Sequence, residues 1–256
     1  MLIDSHCHLD YFDGEERDAV VNRAHAAGVG EMVTIGTRRE QSAAMRAYAE
    51  ATPSVWCTVG VHPHNADEGA SAEQLIRLAD SPKCVGIGES GLDYHYDKAP
   101  RDMQAASFRE HIRACQATGL PLIIHAREAD TDIALILQEE WERGGAFGLL
   151  LHCFSAGRGL AETAVALGGY VSFSGILTFP KSQEIRDIAR DLPAERLLVE
   201  TDAPYLAPVP FRGKGCEPAM VAATAAVLAK VRGLEPEALA ELTTSNFRRL
   251  FRRAAA

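Results

Sequence analysis

Leu2-Ile3-Asp4-Ser5-His6-Cys7-His8 opens the chain with a short apolar run that ends on metal-binding side chains. The pattern returns in Val85-Gly86-Ile87-Gly88-Glu89, Leu122-Ile123-Ile124-His125, Leu149-Leu150-Leu151-His152 and Leu197-Leu198-Val199-Glu200-Thr201-Asp202. His6, His8, Glu89, His125, His152 and Asp202 therefore read as six candidate metal ligands, each just past the end of a strand. In a barrel of parallel strands all such ends open onto one rim. Six ligands on one rim are enough for two metal ions that share a carboxylate, and metal-assisted hydrolysis is the chemistry such a site performs.

Working outward, strand-like and helix-like segments alternate along all 256 residues. The pattern predicts strands over 2–4, 31–35, 54–59, 84–87, 122–124, 148–151, 170–173 and 197–199. It predicts helices over 15–27, 40–51, 72–79, 101–118, 130–143, 160–167, 182–190, 218–232 and 236–252. Gly28 and Gly119 stand where two of these helices should end. The fourth helix carries Phe108, Ile112 and Cys115 on one face, and the last carries Leu239, Leu242, Phe247, Leu250 and Phe251. Eight such units match a (β/α)8 TIM barrel of the metallo-dependent hydrolase type, expected as one domain over residues 1–256. A doubly wound open sheet competes. No G-x-G-x-x-G follows any strand, however, and only a closed barrel brings together ligands from strands 1, 4, 5, 6 and 8.

Composition narrows the partners. Apolar residues make up 47% and charged residues 24%, as in an ordinary globular protein. The net charge of -9 argues against a broad basic surface and against tight non-specific nucleic-acid binding. A nucleic-acid substrate stays possible, because two divalent ions and a few Arg or Lys can make one cleft positive. Asp4 and His6 interrupt the N-terminus, so no apolar signal segment is expected there. The longest apolar stretch, residues 219–229, includes Thr224 and is too short to cross a bilayer, so no membrane partner is expected. The six cysteines (7, 57, 84, 115, 153 and 216) form no C-x-x-C pair. They read as buried thiols in a reducing, cytoplasmic setting, with a monomer as the default.

The ligand types suit their places. His6 and His8 are two apart, so in an extended chain both rings face one side while Cys7 faces the other. Glu89 follows two glycines that allow close backbone approach, and its two oxygens can bridge two cations. Asp202 can offer one oxygen to a metal and use the other to take a proton from water. Asp202 and Glu89 are the candidate catalytic carboxylates.

These residues, in their flanking sequence, resemble the TatD family of metal-dependent deoxyribonucleases, small relatives of the amidohydrolase superfamily. The matching stretches begin with Ile3-Asp4-Ser5-His6-Cys7-His8-Leu9, Val59-Gly60-Val61-His62-Pro63-His64 and Val85-Gly86-Ile87-Gly88-Glu89-Ser90-Gly91-Leu92-Asp93-Tyr94. They continue through Pro121-Leu122-Ile123-Ile124-His125-Ala126-Arg127, Leu151-His152-Cys153-Phe154-Ser155, Ser172-Phe173-Ser174-Gly175 and Val199-Glu200-Thr201-Asp202-Ala203-Pro204-Tyr205-Leu206. The resemblance implies that His6, His8, Glu89 and Asp202 hold one divalent ion and Glu89, His125 and His152 a second, as Mg, Mn, Zn or Co. It implies Asp202 as acid/base and phosphodiester hydrolysis as the reaction, often as a 3′-5′ exonuclease on single-stranded DNA ends. His62 is then a phosphate or third-ion contact, or only part of the rim. Arg127 neutralises a phosphate, or else pairs with Glu128 or Asp130. One departure follows strand 8. The family usually reads Arg-Gly-Lys-Arg-Asn-Glu-Pro, but this chain has Arg212-Gly213-Lys214-Gly215-Cys216-Glu217-Pro218, which lacks the second Arg and the Asn. His95 stands where the family commonly has Tyr.

Two other functions compete. One is an amide, lactone or cyclic-imide hydrolase on the same barrel. Such relatives often bridge their metals with a carboxylated Lys after strand 4, where this chain has Glu89 and no nearby Lys. The other is a metal-binding partner protein with little catalysis, which has no need of Asp202 as an acid/base.

Overall fold

The computed structural model describes residues 1–255; Ala256, the end of the terminal alanine run, lies outside the described residues. All eight strands form: β1 (Leu2–Cys7), β2 (Val29–Thr34), β3 (Val55–Val59), β4 (Cys84–Asp93), β5 (Leu122–Arg127), β6 (Leu149–Leu151), β7 (Tyr170–Phe173) and β8 (Leu197–Val199). They pair in parallel and in chain order. Both faces of such a sheet are covered, which is why the strands read as continuous apolar runs. The sheet curls until its ends meet. Cys7 bridges Ala203, the His8 amide donates to the Ala203 carbonyl at 2.8 Å, and the Asp202 amide donates to the His6 carbonyl at 2.9 Å. That seam rules out the open sheet, and it runs through the candidate ligands His6, His8 and Asp202.

Nine helices are described: α1 (Gly14–Ala26), α2 (Arg39–Ala51), α3 (Ala72–Leu78), α4 (Arg101–Thr118), α5 (Asp130–Gly144), α6 (Arg158–Ala166), α7 (Gln183–Asp191), α8 (Val221–Arg232) and α9 (Pro236–Leu250). Their start signals are local. Ser71 and Gln74 form a capping box at α3, and Gly119 closes α4 in the left-handed region at φ 72°. The last helix stops at Leu250, short of the expected residue 252. Beyond it Arg253 turns back to donate to the carbonyls of Ala79, Ser81 and Cys84 at 2.8–2.9 Å.

The barrel interior is a separate apolar layer. Ile3, Val33, Val85, Ile123, Leu150, Tyr170 and Leu198 each come from a different strand, and Trp56 of β3 packs against them. Phe247 and Leu250 of α9, with Phe251 after it, complete the layer. α9 therefore plugs the end of the barrel from which β1 starts, opposite the ligands.

β4 corrects the sequence expectation. It does not end at residue 87 but runs ten residues through Asp93, so Glu89 lies within the strand and not past its end. The reason is a register shift against β5 between Ile87 and Ser90. Gly88 (φ 132°) and Gly91 (φ 145°) supply the backbone this irregularity needs. A Cβ at Gly91 would lie 2.0 Å from the His125 carbonyl. His6 and His125 also lie inside their strands, His152 directly follows β6, and Asp202 sits three residues past β8.

Candidate metal centre

The six predicted residues converge, and Glu89 stands between two groups of histidines. Its Oε2 faces His6 Nε2 at 3.5 Å and His8 Nε2 at 3.8 Å. Its Oε1 faces His152 Nε2 at 2.8 Å, His125 Nδ1 at 2.9 Å and His62 Nε2 at 3.3 Å. Asp202 Oδ1 lies 3.3 Å from His8 Nε2 and 3.6 Å from His6 Nε2. The His6 and His152 rings stack at 3.8 Å between centroids.

Burial tests whether these groups suit a cation. Both ring nitrogens of His6, Nδ1 of His8, Glu89 Oε2 and Nδ1 of His152 are buried without a hydrogen-bond partner among the described residues. Orphaned buried polar atoms are costly, and a cluster of them is explained by an ion. The spacing agrees, since two atoms about 2.1 Å from one cation in tetrahedral array are about 3.4 Å apart. Three sets have ligand atoms close enough to share an ion: His6, His8 and Glu89; His6, His152 and Asp202; and His62, Glu89 and His125.

Electrostatics follows the same arrangement. Burial alone would raise the pKa of Glu89, but the facing His152, His62 and His125 hold it well below the usual carboxylate range. Burial likewise opposes ionisation of Asp202, and His8 and His6 overcome it. The histidines respond in kind. Burial disfavours charge on His8, His125 and His152, yet Asp202, Asp93 and Glu89, and Glu89 and Glu200, respectively, raise their pKa values. His6 is instead lowered by burial and by His152.

His62 differs from its neighbours in how its ring is held. The His64 backbone amide donates to His62 Nδ1 at 3.1 Å, so that nitrogen is an acceptor. Burial pushes the His62 pKa down to about 4, so the ring is neutral and its one proton sits on Nε2, toward Glu89. Its Nε2 points into the site, 3.3 Å from Glu89 Oε1. Arg127 lies on the rim, 5.2 Å from the Tyr96 ring. Among the described residues it has no carboxylate partner; Glu128 pairs with His95 at 2.7 Å instead.

Sequence reading passed over three carboxylates. Asp93 is buried, and its Oδ2 accepts from His64 Nε2 at 2.7 Å and His125 Nε2 at 3.0 Å. That leaves Nδ1 of His125 to face Glu89. Asp93 was findable, because Glu89, Gly91 and Asp93 share one side of an extended strand. Glu200 accepts from the Cys153 amide at 2.5 Å and approaches His152 Nδ1 at 3.4 Å. Asp4 accepts from the amide and hydroxyl of Thr201 at 2.9 and 2.5 Å, fixing the loop that carries Asp202. The departure after β8, Gly215-Cys216, does not line the cleft over these residues, and Cys216 is buried.

The site floors a cleft of ≈ 700 Å³. Its rim carries Arg38, Lys98, Arg127 and three tyrosines, Tyr11, Tyr96 and Tyr205.

Known proteins share this arrangement of sequence and fold. A model of the family described as TatD related DNase matches residues 3–252. The Escherichia coli K12 protein named uncharacterized metal-dependent hydrolase YcfH is 42% identical over 254 residues, covering 98% of this chain and 95% of its own. An Erwinia billingiae protein named 3′-5′ ssDNA/RNA exonuclease TatD is 35% identical, over 93% of this chain and 94% of its own. The crystal structure of the TatD homologue YJJV from Escherichia coli K12 superposes with a TM-score of 0.90 at 31% identity, over 98% of each chain. The chain belongs to the TatD-related DNase family of metal-dependent hydrolases.

Proposed function

We propose that the protein is a two-metal deoxyribonuclease that removes nucleotides from the 3′ end of single-stranded DNA. The observation that carries this reading is the two-sided Glu89 carboxylate, with Oε2 toward His6 and His8 and Oε1 toward His125 and His152. In this reading His6, His8, Glu89 and Asp202 hold one divalent cation, and Glu89, His125 and His152 hold another. Two such cations would stabilise the attacking and leaving oxygens of an in-line phosphodiester displacement and lower the pKa of water. Asp202, ionised and with its side chain 13% exposed, takes the proton of the attacking water at its second oxygen and returns it to the departing hydroxyl. His62 donates from Nε2 toward a phosphate oxygen, and Arg127 and Lys98 balance phosphate charge at the rim. The Erwinia relative's name supports the polymer and the polarity. Glu89 stands where amide-cleaving relatives often carry a carboxylated Lys, which favours the phosphodiester over the amide or lactone.

The test is a gel assay with a single-stranded oligonucleotide labelled at its 5′ end and Mg or Mn. We expect a ladder shortening from the 3′ end, abolished by EDTA and reduced at least about 1000-fold in Asp202→Asn. An intact oligonucleotide in the presence of metal-loaded protein would refute the assignment and turn attention to amide, lactone and cyclic-imide substrates.

A further inference from the structure

Three aromatic side chains are exposed among the described residues: Tyr11 at 57%, Tyr96 at 55% and Tyr205 at 47%. All three line the one cleft over the candidate metal centre. Exposed rings that converge on a single site form stacking surfaces, and every nucleobase has a π-face to meet them.

The rings fall on two unlike walls. Tyr11 ends the turn after β1 and Tyr205 follows β8, so they meet across the barrel seam, 5.6 Å apart between centroids at 74°. Tyr96 follows β4, on the opposite side of an eight-stranded ring. Its wall is cationic, with Arg127 at 5.2 Å and Lys98 at 5.8 Å from the ring. Neither cation has a carboxylate partner among the described residues. The seam wall differs. Both of its rings lie edge-on to His8, at 6.0 and 6.2 Å between centroids, and no Arg or Lys stands beside them in the cleft lining. The nearby Arg17 is turned away, donating to the carbonyls of Leu9 and Phe12 and lying over Tyr48. Of the other cleft cations, Arg38 is paired with Glu68.

We propose that Tyr11 and Tyr205 form the subsite for the terminal base, while the Tyr96–Arg127–Lys98 wall carries the chain that remains. The proposal rests on the phosphodiester reading and deepens it. Beyond Tyr11 and Tyr205 this wall of the cleft offers no Arg or Lys side chain to balance a further phosphate. A terminal nucleotide ends there in a hydroxyl and carries no such charge. The two walls thus explain cutting from an end without any steric block.

The test uses Mn-loaded protein and compares two pentamer substrates, one with a 3′-terminal thymidine and one with a 3′-terminal abasic residue. Wild-type protein should favour the base-bearing end by about 10-fold in KM, within the range of stacking energies per base. Tyr11→Ala combined with Tyr205→Ala should erase that preference, and the Tyr→Phe pair should keep it. A wild type that treats both ends alike, or an alanine pair that still discriminates, overturns the subsite. A wild type that cuts neither substrate refutes the nuclease reading instead. Fluorescence of a 3′-terminal 2-aminopurine then decides the subsite without turnover. Quenching by wild type but not by the alanine pair supports it, and no quenching by wild type overturns it.

Discussion

Asp93 shows how a single side chain off the cleft floor sets the site. By accepting from Nε2 of His125 it fixes which nitrogen faces Glu89, and by accepting from His64 it ties the β3 loop to β4. Asp93→Asn should weaken metal binding about 10- to 100-fold, as loss of an orienting carboxylate does elsewhere. Competition against a chelating dye measures this, and unchanged affinity would remove Asp93 from the account. His111 illustrates a different residue-level effect. It accepts from the Val61 amide at 2.9 Å, donates to the Ser107 carbonyl at 2.7 Å, and is pushed down by burial to about 4. An unfolded His titrates near 6.5, so the stability from neutral His111 is present above that pH and is lost as pH falls toward 4. Between pH 7 and pH 5 this amounts to about 2 kcal/mol. Urea unfolding in EDTA should show it as a difference, wild type losing about 2 kcal/mol more than His111→Gln between pH 7 and pH 5, and equal losses would contradict it.

At the scale of elements, the helices and most strands follow from local signals, and so were legible in the sequence. The limits of α4 were read directly because Gly119 terminates it in the left-handed region, which glycine adopts at lower cost than other residues. β4 was not read past residue 87, because Gly88 and Gly91 look like breakers until β5 is alongside to absorb the irregularity. The six candidate ligands were legible since each follows an apolar run. Asp93 was open to reading from its spacing to Glu89 but was passed over; Glu200 and Asp4 were not legible, because their partners lie on distant segments that only the folded barrel brings close. The role of α9 as a plug depends equally on closure. Its Phe247 side chain is buried against the interior layer, so Phe247→Ala should cost about 3–5 kcal/mol. A denaturant midpoint shift of less than 1 kcal/mol equivalent would mean that the barrel end is closed by other means.

The whole molecule joins an acidic surface of net charge -9 to a buried cluster of titratable groups. In the metal-free protein, carboxylates and histidines balance one another, with His8, His125 and His152 all raised. Metal ligation requires neutral imidazoles, so binding near neutral pH must release protons, and affinity must rise with pH. Calorimetry in two buffers of different ionisation enthalpy should show net release of at least about one proton per chain. No release would mean that the rings are already neutral. The central claim is that one carboxylate joins two cation positions, and anomalous diffraction from crystals soaked in Mn tests it most directly. We predict two peaks, one on each side of Glu89, each in contact with one of its oxygens. A single peak, or two peaks that leave Glu89 untouched, would contradict the account.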